Sequence, residues 1–263
     1  AANQGYANDA LKLVDSKLSA ATDLVTYVRT RAVESGNGAY TAAEQSTIAS
    51  DLKEQFSALQ GIANSQDSTG EFVFAGYRSN AQPFIGGLAG GVTYQGDQGA
   101  RTLQISSSRN LPITSSGDDI FNNIRAARGS AFALSGAGNT GTAMTSAMSL
   151  SGYNGHSYAV SVGAGPTYQV FDSTNDPTHA SPIVPTVTAS GSDTTLGFAG
   201  VSLKLTGTAN AGDTFSVSNV ASTFDVIGNF VSALSSGNKA VTQFGGRQAI
   251  AGMDAAQDSI SRV

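Results

Sequence analysis

His156 and His179 are the only imidazoles in the chain, and they set the first chemistry to weigh. A serine hydrolase would place one of them beside an activated serine, with a carboxylate behind it. His156 lies in YNGHS and His179 in DPTHAS, polar stretches rich in turn-forming residues, and no G-x-S-x-G elbow occurs. Both read as surface-loop residues. Ser50-Asp-Leu-Lys53 matches the S-x-x-K tetrad of an acylating serine, but its S-D-N and K-T-G companions are missing. The tetrad also falls inside a helix-period run, so chance explains it. Asp172, Asp176 and Asp193 would be the donors for a calcium ion, yet they do not keep the spacing of a calcium loop. Neither Gly163-Ala-Gly165 nor Gly86 to Gly91 opens a helix after a strand with phosphate-cradle spacing. There is no cysteine, which removes disulfides, zinc thiolates and thiol nucleophiles together. The reactive residue types therefore point to no catalytic site, no cofactor and no metal.

The composition agrees with a packing role. Of 263 residues, 40% are hydrophobic, enough for a large core, while only 13% are charged, about half the usual share of roughly 25%. Ser, Thr, Asn and Gly cover the surface instead. The net charge is −5 and the 14 Lys and Arg are scattered singly, so no basic stripe exists for nucleic acid or an anionic membrane surface. No run approaches the roughly 18 apolar residues of a membrane-spanning helix, and no signal peptide is visible. The chain opens AANQGY without Met, and 254–263 continue a helical pattern with no capping glycine. Both ends read as cut, and flanking segments are expected in the full protein.

Ala7 to Val33 reads as one helix, with Leu11, Val14, Leu18, Ala21, Val25, Val28 and Ala32 on a seam of alternating three- and four-residue steps. Such a seam needs a partner helix. Its flank carries Lys12, Lys17, Asp23, Arg29 and Arg31. The seam has two readings: packing within its own domain, which is favoured, or presentation of the other flank to a next subunit. Gly36 and Gly38 stop the pattern, and Thr41-Ala-Ala-Glu44 has the spacing of a capping box. A second helix over about 42–64 follows, with Ile48, Leu52, Phe56, Leu59 and Ile62 or Ala63 on its face. GEFVFAG (70–76) alternates as a strand; with VTYQG (92–96) and RTLQIS (101–106), whose Leu103 and Ile105 share a face, it suggests a small antiparallel unit. DDIFNNIRAAR (118–128) reads as a short helix. From 129 to 221 the clearest runs are strands: 157–162, 167–171, 201–205 and 214–218. Helical patterning returns at Thr223, with Val226, Ile227, Phe230, Val231 and Leu234 up to Gly237, and again over 241–263 with Ile250, Met253 and Ile260. The expected fold class is therefore α+β multidomain. Residues 1–130 and 222–263 form an elongated helical-bundle domain with a small β-hairpin unit, and 131–221 form an inserted all-β domain, sandwich or barrel.

Two runs carry a family resemblance. The helix–GNG–helix opening, Ala63-Asn64 and GEFVFAGYRSNAQPF (70–84) resemble the flagellar hook-associated protein type 3 family, the hook–filament junction proteins; Gly70, Phe72, Phe74, Gly76, Pro83 and Phe84 match its signature. GVSLKLTGTANAGDTFSV (200–217), with Gly212, Asp213 and Phe215, resembles the inserted β-domain of hook-associated proteins. The resemblance implies an extracellular structural subunit of the flagellum, exported unfolded by the type III apparatus without a cleavable signal. An export chaperone would act through a terminus absent from this chain. The subunit would form a ring with its own copies between a neighbouring junction protein and flagellin. The aromatic residues and Pro83 then have two readings, a docking surface or filler beneath the hairpin, and alternating aromatics favour the second. Gly70 and Gly76 read as turn requirements, and Gly212-Asp213 as a β-turn joining strands. Two rival functions remain: a short flagellin, and a secreted β-module binding a glycan or host surface through Tyr153, Tyr158, Tyr168 or Phe171.

Overall fold

The computed structural model describes residues 2–36, 40–106, 109–165 and 167–263. Gly38 and the side chain of Ile105, both named above, lie outside the described residues. Helix α1 runs Ala2–Gly36, longer than the seam alone marks. Ala7, Val14, Ala21, Val25, Val28 and Ala32 are buried, but Leu11 is 39% exposed. Helix α2, Ala42–Ala63, starts on the capping box: Thr41 Oγ1 accepts from Glu44 N, and Thr41 N donates to the Glu44 carboxylate at 2.7 Å. Ile48, Leu52, Phe56, Leu59 and Ala63 form its buried face.

The partner of the α1 seam stands at the other end of the chain. Helix α3 spans Thr223–Ser235 and α4 spans Lys239–Ile260, and α1 packs chiefly on α4. Arg29 donates to Asp254 at 2.5 Å, while Gly246 lies against Ala32 and Ser35, so the two helices run antiparallel. Gly252 is required by close approach, because a Cβ there would lie 2.5 Å from Val226 Cγ1 of α3. That contact explains a residue that costs helix propensity of roughly 1 kcal/mol relative to Ala.

Between the helical ends the described residues form five antiparallel sheets. Strands β1 (Phe84–Gly87) and β2 (Gly91–Tyr94) form one hairpin, and β3 (Thr102–Ser106) and β4 (Arg109–Pro112) another. This corrects the single unit expected from the sequence. GEFVFAG is not a strand: only Phe72 and Ala75 make isolated bridges, to Gln66 and Ser116. The reason is local. Asp67 Oδ1 gathers the N–H groups of Thr69 and Glu71 into a turn, and Gly70 and Gly76 both sit at positive φ. The helix expected over 118–128 is a single wide turn, Asp118–Asn122, closed by Asn123 N on Asp118 O at 3.0 Å. The Asp118 carboxylate takes the side-chain amides of Asn122 and Asn123, and Ile124–Arg125 (β5) then pairs with Val220–Ala221 (β14).

Residues 132–218 carry two four-stranded sheets. One is ordered β10 (Thr186–Ser190), β11 (Asp193–Phe198), β12 (Val201–Thr206), β7 (Met144–Leu150); the other is β6 (Phe132–Ser135), β13 (Thr214–Ser218), β8 (Tyr158–Gly163), β9 (Thr167–Asp172). Val160, Val170, Leu196, Leu203, Leu205 and Phe215 from both sheets share one buried cluster. β6 belongs to two cores: Phe132 and Leu134 join the helical cluster, and Ala133 joins the β cluster, as does Phe244 of α4. A strand with period two can serve both only because both of its faces are covered.

Candidate assembly surface

The 70–84 run is assembled from the end of α2. Asn64 works as an extra peptide unit: its Nδ2 donates to Phe84 O and its Oδ1 accepts from Phe84 N, each at 2.9 Å. Gln60 adds donations to Phe84 O and Gly86 O at 3.3 and 3.2 Å. This clamp drives the Phe84 ring inward, where it meets Phe224 at 5.4 Å, Phe121 at 5.7 Å and Tyr94 at 5.0 Å. Phe74 meets Phe121 edge-on at 5.7 Å, and Phe56 meets Phe224 at 5.6 Å. Ring pairs in these geometries add about 0.5–1.5 kcal/mol each beyond their buried area. Pro83 is buried, Phe72 half-buried and Gly70 exposed. Gly76 has no room for a side chain: at φ +70°, a Cβ would lie 2.2 Å from Asp97 Oδ1. That oxygen accepts from Tyr77 N and Gly99 N, each at 2.8 Å, and these bonds hold the Asp97 carboxyl below the usual range.

Of the signature residues, Phe74, Pro83 and Phe84 thus build the core, while the exposed large hydrophobic residues in and directly after the same stretch are Tyr77, 67% exposed, and Ile85, 42% exposed. Sequence reasoning passed over both. The available signal was phase: Ile85 follows a ring that must point inward, and strand residues alternate faces. On the flank of α1, Arg29 is paired with Asp254, and Arg31 with Glu34 and Asp51. Lys12 and Asp23 are exposed.

The second run is also internal. Gly212 sits at φ +93°, and Asp213 is 1% exposed. Its carboxylate accepts from Asn210 N and Thr140 N at 2.8 Å and from Gly141 N at 3.1 Å. Burial alone would raise its pKa; these backbone donors hold it low instead. Asp213 therefore ties the turn before β13 to the loop after β6, and Phe215 fills the β cluster behind it.

The reactive residue types are dispersed. His156 Nδ1 lies 2.8 Å from Asp172 Oδ2, a contact that lowers the Asp172 pKa. His179 lies 3.0 Å from Ser173 Oγ and stacks on Phe171 at 4.8 Å. Asp176 accepts from Ser181 N, and Asp193 pairs with Lys204 at 2.7 Å. Among the described residues no three His, Asp or Glu gather as a metal site. Ser50 bonds back to Ser46 O within α2. Among the described residues no helix is long and apolar enough to cross a membrane.

No family model matches the chain. It is 33% identical over 119 residues to flagellar hook-associated protein 3 of Salmonella typhimurium, a stretch covering 45% of this chain and 37% of that protein. The chain thus spans well under half the length of the curated relative it matches. The crystal structure of FlgL from Xanthomonas campestris superposes on 99% of this chain and 85% of its own, with TM-score 0.64 and 29% identity. Hook-associated protein-3 of Legionella pneumophila does so over 99% and 84%, with TM-score 0.65 and 26% identity. The proteins that share both sequence and fold with this chain are flagellar structural proteins. More particularly, the chain is similar to flagellar hook-associated protein 3, FlgL, and the family resemblance read from the sequence is borne out.

Proposed function

We propose that this chain is the core of a structural subunit that joins the flagellar hook, through a neighbouring junction protein, to the flagellin filament. Residues 1–130 and 222–263 act as the helical domain that makes contacts along the tube, and 131–221 as a β-domain projecting outward. The full subunit forms a ring with its own copies, meets flagellin on one side, and leaves the cell unfolded with a chaperone on a terminal segment. The observation that carries this reading is the likeness to FlgL over 99% of the chain at 29% identity. A disordered end that folds on assembly adds interface at an ordering cost, so many modest contacts suit a subunit with so few surface charges.

A photo-crosslinking amino acid placed in the full-length protein at Tyr77 and at Ile85, in assembled flagella, tests the contact face. Adducts to a neighbouring flagellar subunit from at least one of these positions, and none from a control at buried Phe74, are expected. Adducts from neither exposed position would remove this face from the assembly.

A further inference from the structure

Asp225 stands apart from every other acidic residue near the aromatic cluster. It is the third residue of α3, and it lines a cavity of about 140 Å³ beneath the β1–β2 hairpin. Leu88 and Val92 of the hairpin, Phe224 of α3 and Met144 at the start of β7 give that cavity apolar walls. Its asparagines are already engaged. Asn229 accepts from Ser135 N at 2.7 Å and donates to Ser135 O and Asp225 O. Asn139 accepts from Thr214 N and donates to Thr214 O, both at 2.8 Å. Asp213, behind Gly141 on the wall, is held by backbone N–H groups as described. Among the described residues nothing donates to the Asp225 carboxylate, and burial pushes its pKa up to about 6.

On its other side Asp225 borders an open cleft that Asp97 and Asp118 also line, with no Lys, Arg or His on that wall. Arg78, the base that acts on Asp97, is tied to the Gln95 carbonyl at 3.2 Å. This adjoining cleft therefore carries three carboxylates with the Arg78 guanidinium beside one of them, a balance that favours cations over anions. A metal ion would need several oxygen donors in one place, and among the described residues no such group exists. What remains is a compact cation with one short apolar stem. Its head would pair with the half-buried carboxylate of Asp225, and its methylenes would lie on Leu88, Val92 and Phe224.

We propose that this pocket binds a primary alkylammonium group, with Asp225 as its anionic anchor. The group could be a free aliphatic amine or the side chain of a lysine presented by another protein; the recognition chemistry is the same. The proposal stands independently of the flagellar reading.

The test is methyl NMR of the whole chain at pH 7.5, following Met144, Leu88 and Val92 during titration with n-butylammonium, with a capped Gly-Lys-Gly peptide and with n-butanol. Saturable shifts at these methyls with n-butylammonium, and at least tenfold weaker response to n-butanol, are expected. Binding weakens as pH falls through about 6, where Asp225 takes up a proton. Asp225→Asn, which removes an unpaired charge and should fold, is expected to bind at least tenfold more weakly with its backbone amide spectrum otherwise retained. Response to the peptide identifies a protein lysine as an admissible source, and response to the free amine alone identifies a small amine. No saturable shift, equal shifts with n-butanol, or unchanged binding in a folded Asp225→Asn variant would overturn the proposal.

Discussion

The helical region and the β region are held together by different means. The helical core is built on aromatic rings: Phe56, Phe74, Phe84, Phe121 and Phe224 touch in a chain, at centroid distances of 5.4 to 6.2 Å. The β core is mainly aliphatic, with Tyr158 on Phe198 and with Phe215, and its loops are fixed by the buried Asp213 carboxylate. Each of the two runs that resemble hook-associated proteins feeds one of these cores. A signature can therefore mark what positions a surface without being that surface. The same contrast holds between Asp213, which has three backbone donors, and Asp225, which among the described residues has none.

The largest effect should come from Phe84→Ala. It removes the ring at the centre of the helical cluster and leaves a cavity, at a cost of about 3–5 kcal/mol. Urea unfolding reads the loss, and hydrogen exchange should place it in α2 and α3 before the β sheets. Survival of the helical region with a loss under about 1 kcal/mol would break the comparison. Asp213→Ala should cost about 3 kcal/mol by leaving buried N–H groups unpaired, with faster exchange first at Thr140 and Gly141. Exchange that quickens first in α2 would show that the two cores are not separately held.

Asp225→Asn sharpens the contrast by its sign. The folded pKa of Asp225 is raised, to about 6 from 3.8, so the native state binds the proton more tightly than the unfolded chain. The stability that protonation supplies is fully present below about pH 4 and is lost as pH rises through about 6. Asp225→Asn should therefore be more stable than the parent above pH 7, by up to about 3 kcal/mol. The water that still reaches this half-buried residue and the favourable α3 N-terminus both reduce that figure. The two proteins should converge below pH 4, and a constant difference across pH would contradict the assignment.

Much of the helical frame was legible because its signals are local. The Thr41–Glu44 capping box, the α1 seam and the buried face of α2 each follow from residues a few positions apart. GEFVFAG was misread because its fate is decided by Asp67, Ser65 and Ser79, which take its backbone groups into a loop. Strands β7, β10 and β11 went unnoticed because Ser and Thr fill positions where an alternating apolar pattern would have shown; β10 is exposed along its whole length. Tyr77, Ile85 and Asp225 owe their character to hairpins and loops distant in sequence, so composition alone gave no warning.

The most direct test is genetic. Delete the gene for the full protein in its own bacterium and image the cells and the culture fluid. Cells that keep hooks but shed filaments into the medium, with attachment restored by the intact gene, are the predicted result. Filaments that stay attached at wild-type number in the deletion strain would contradict the junction role outright.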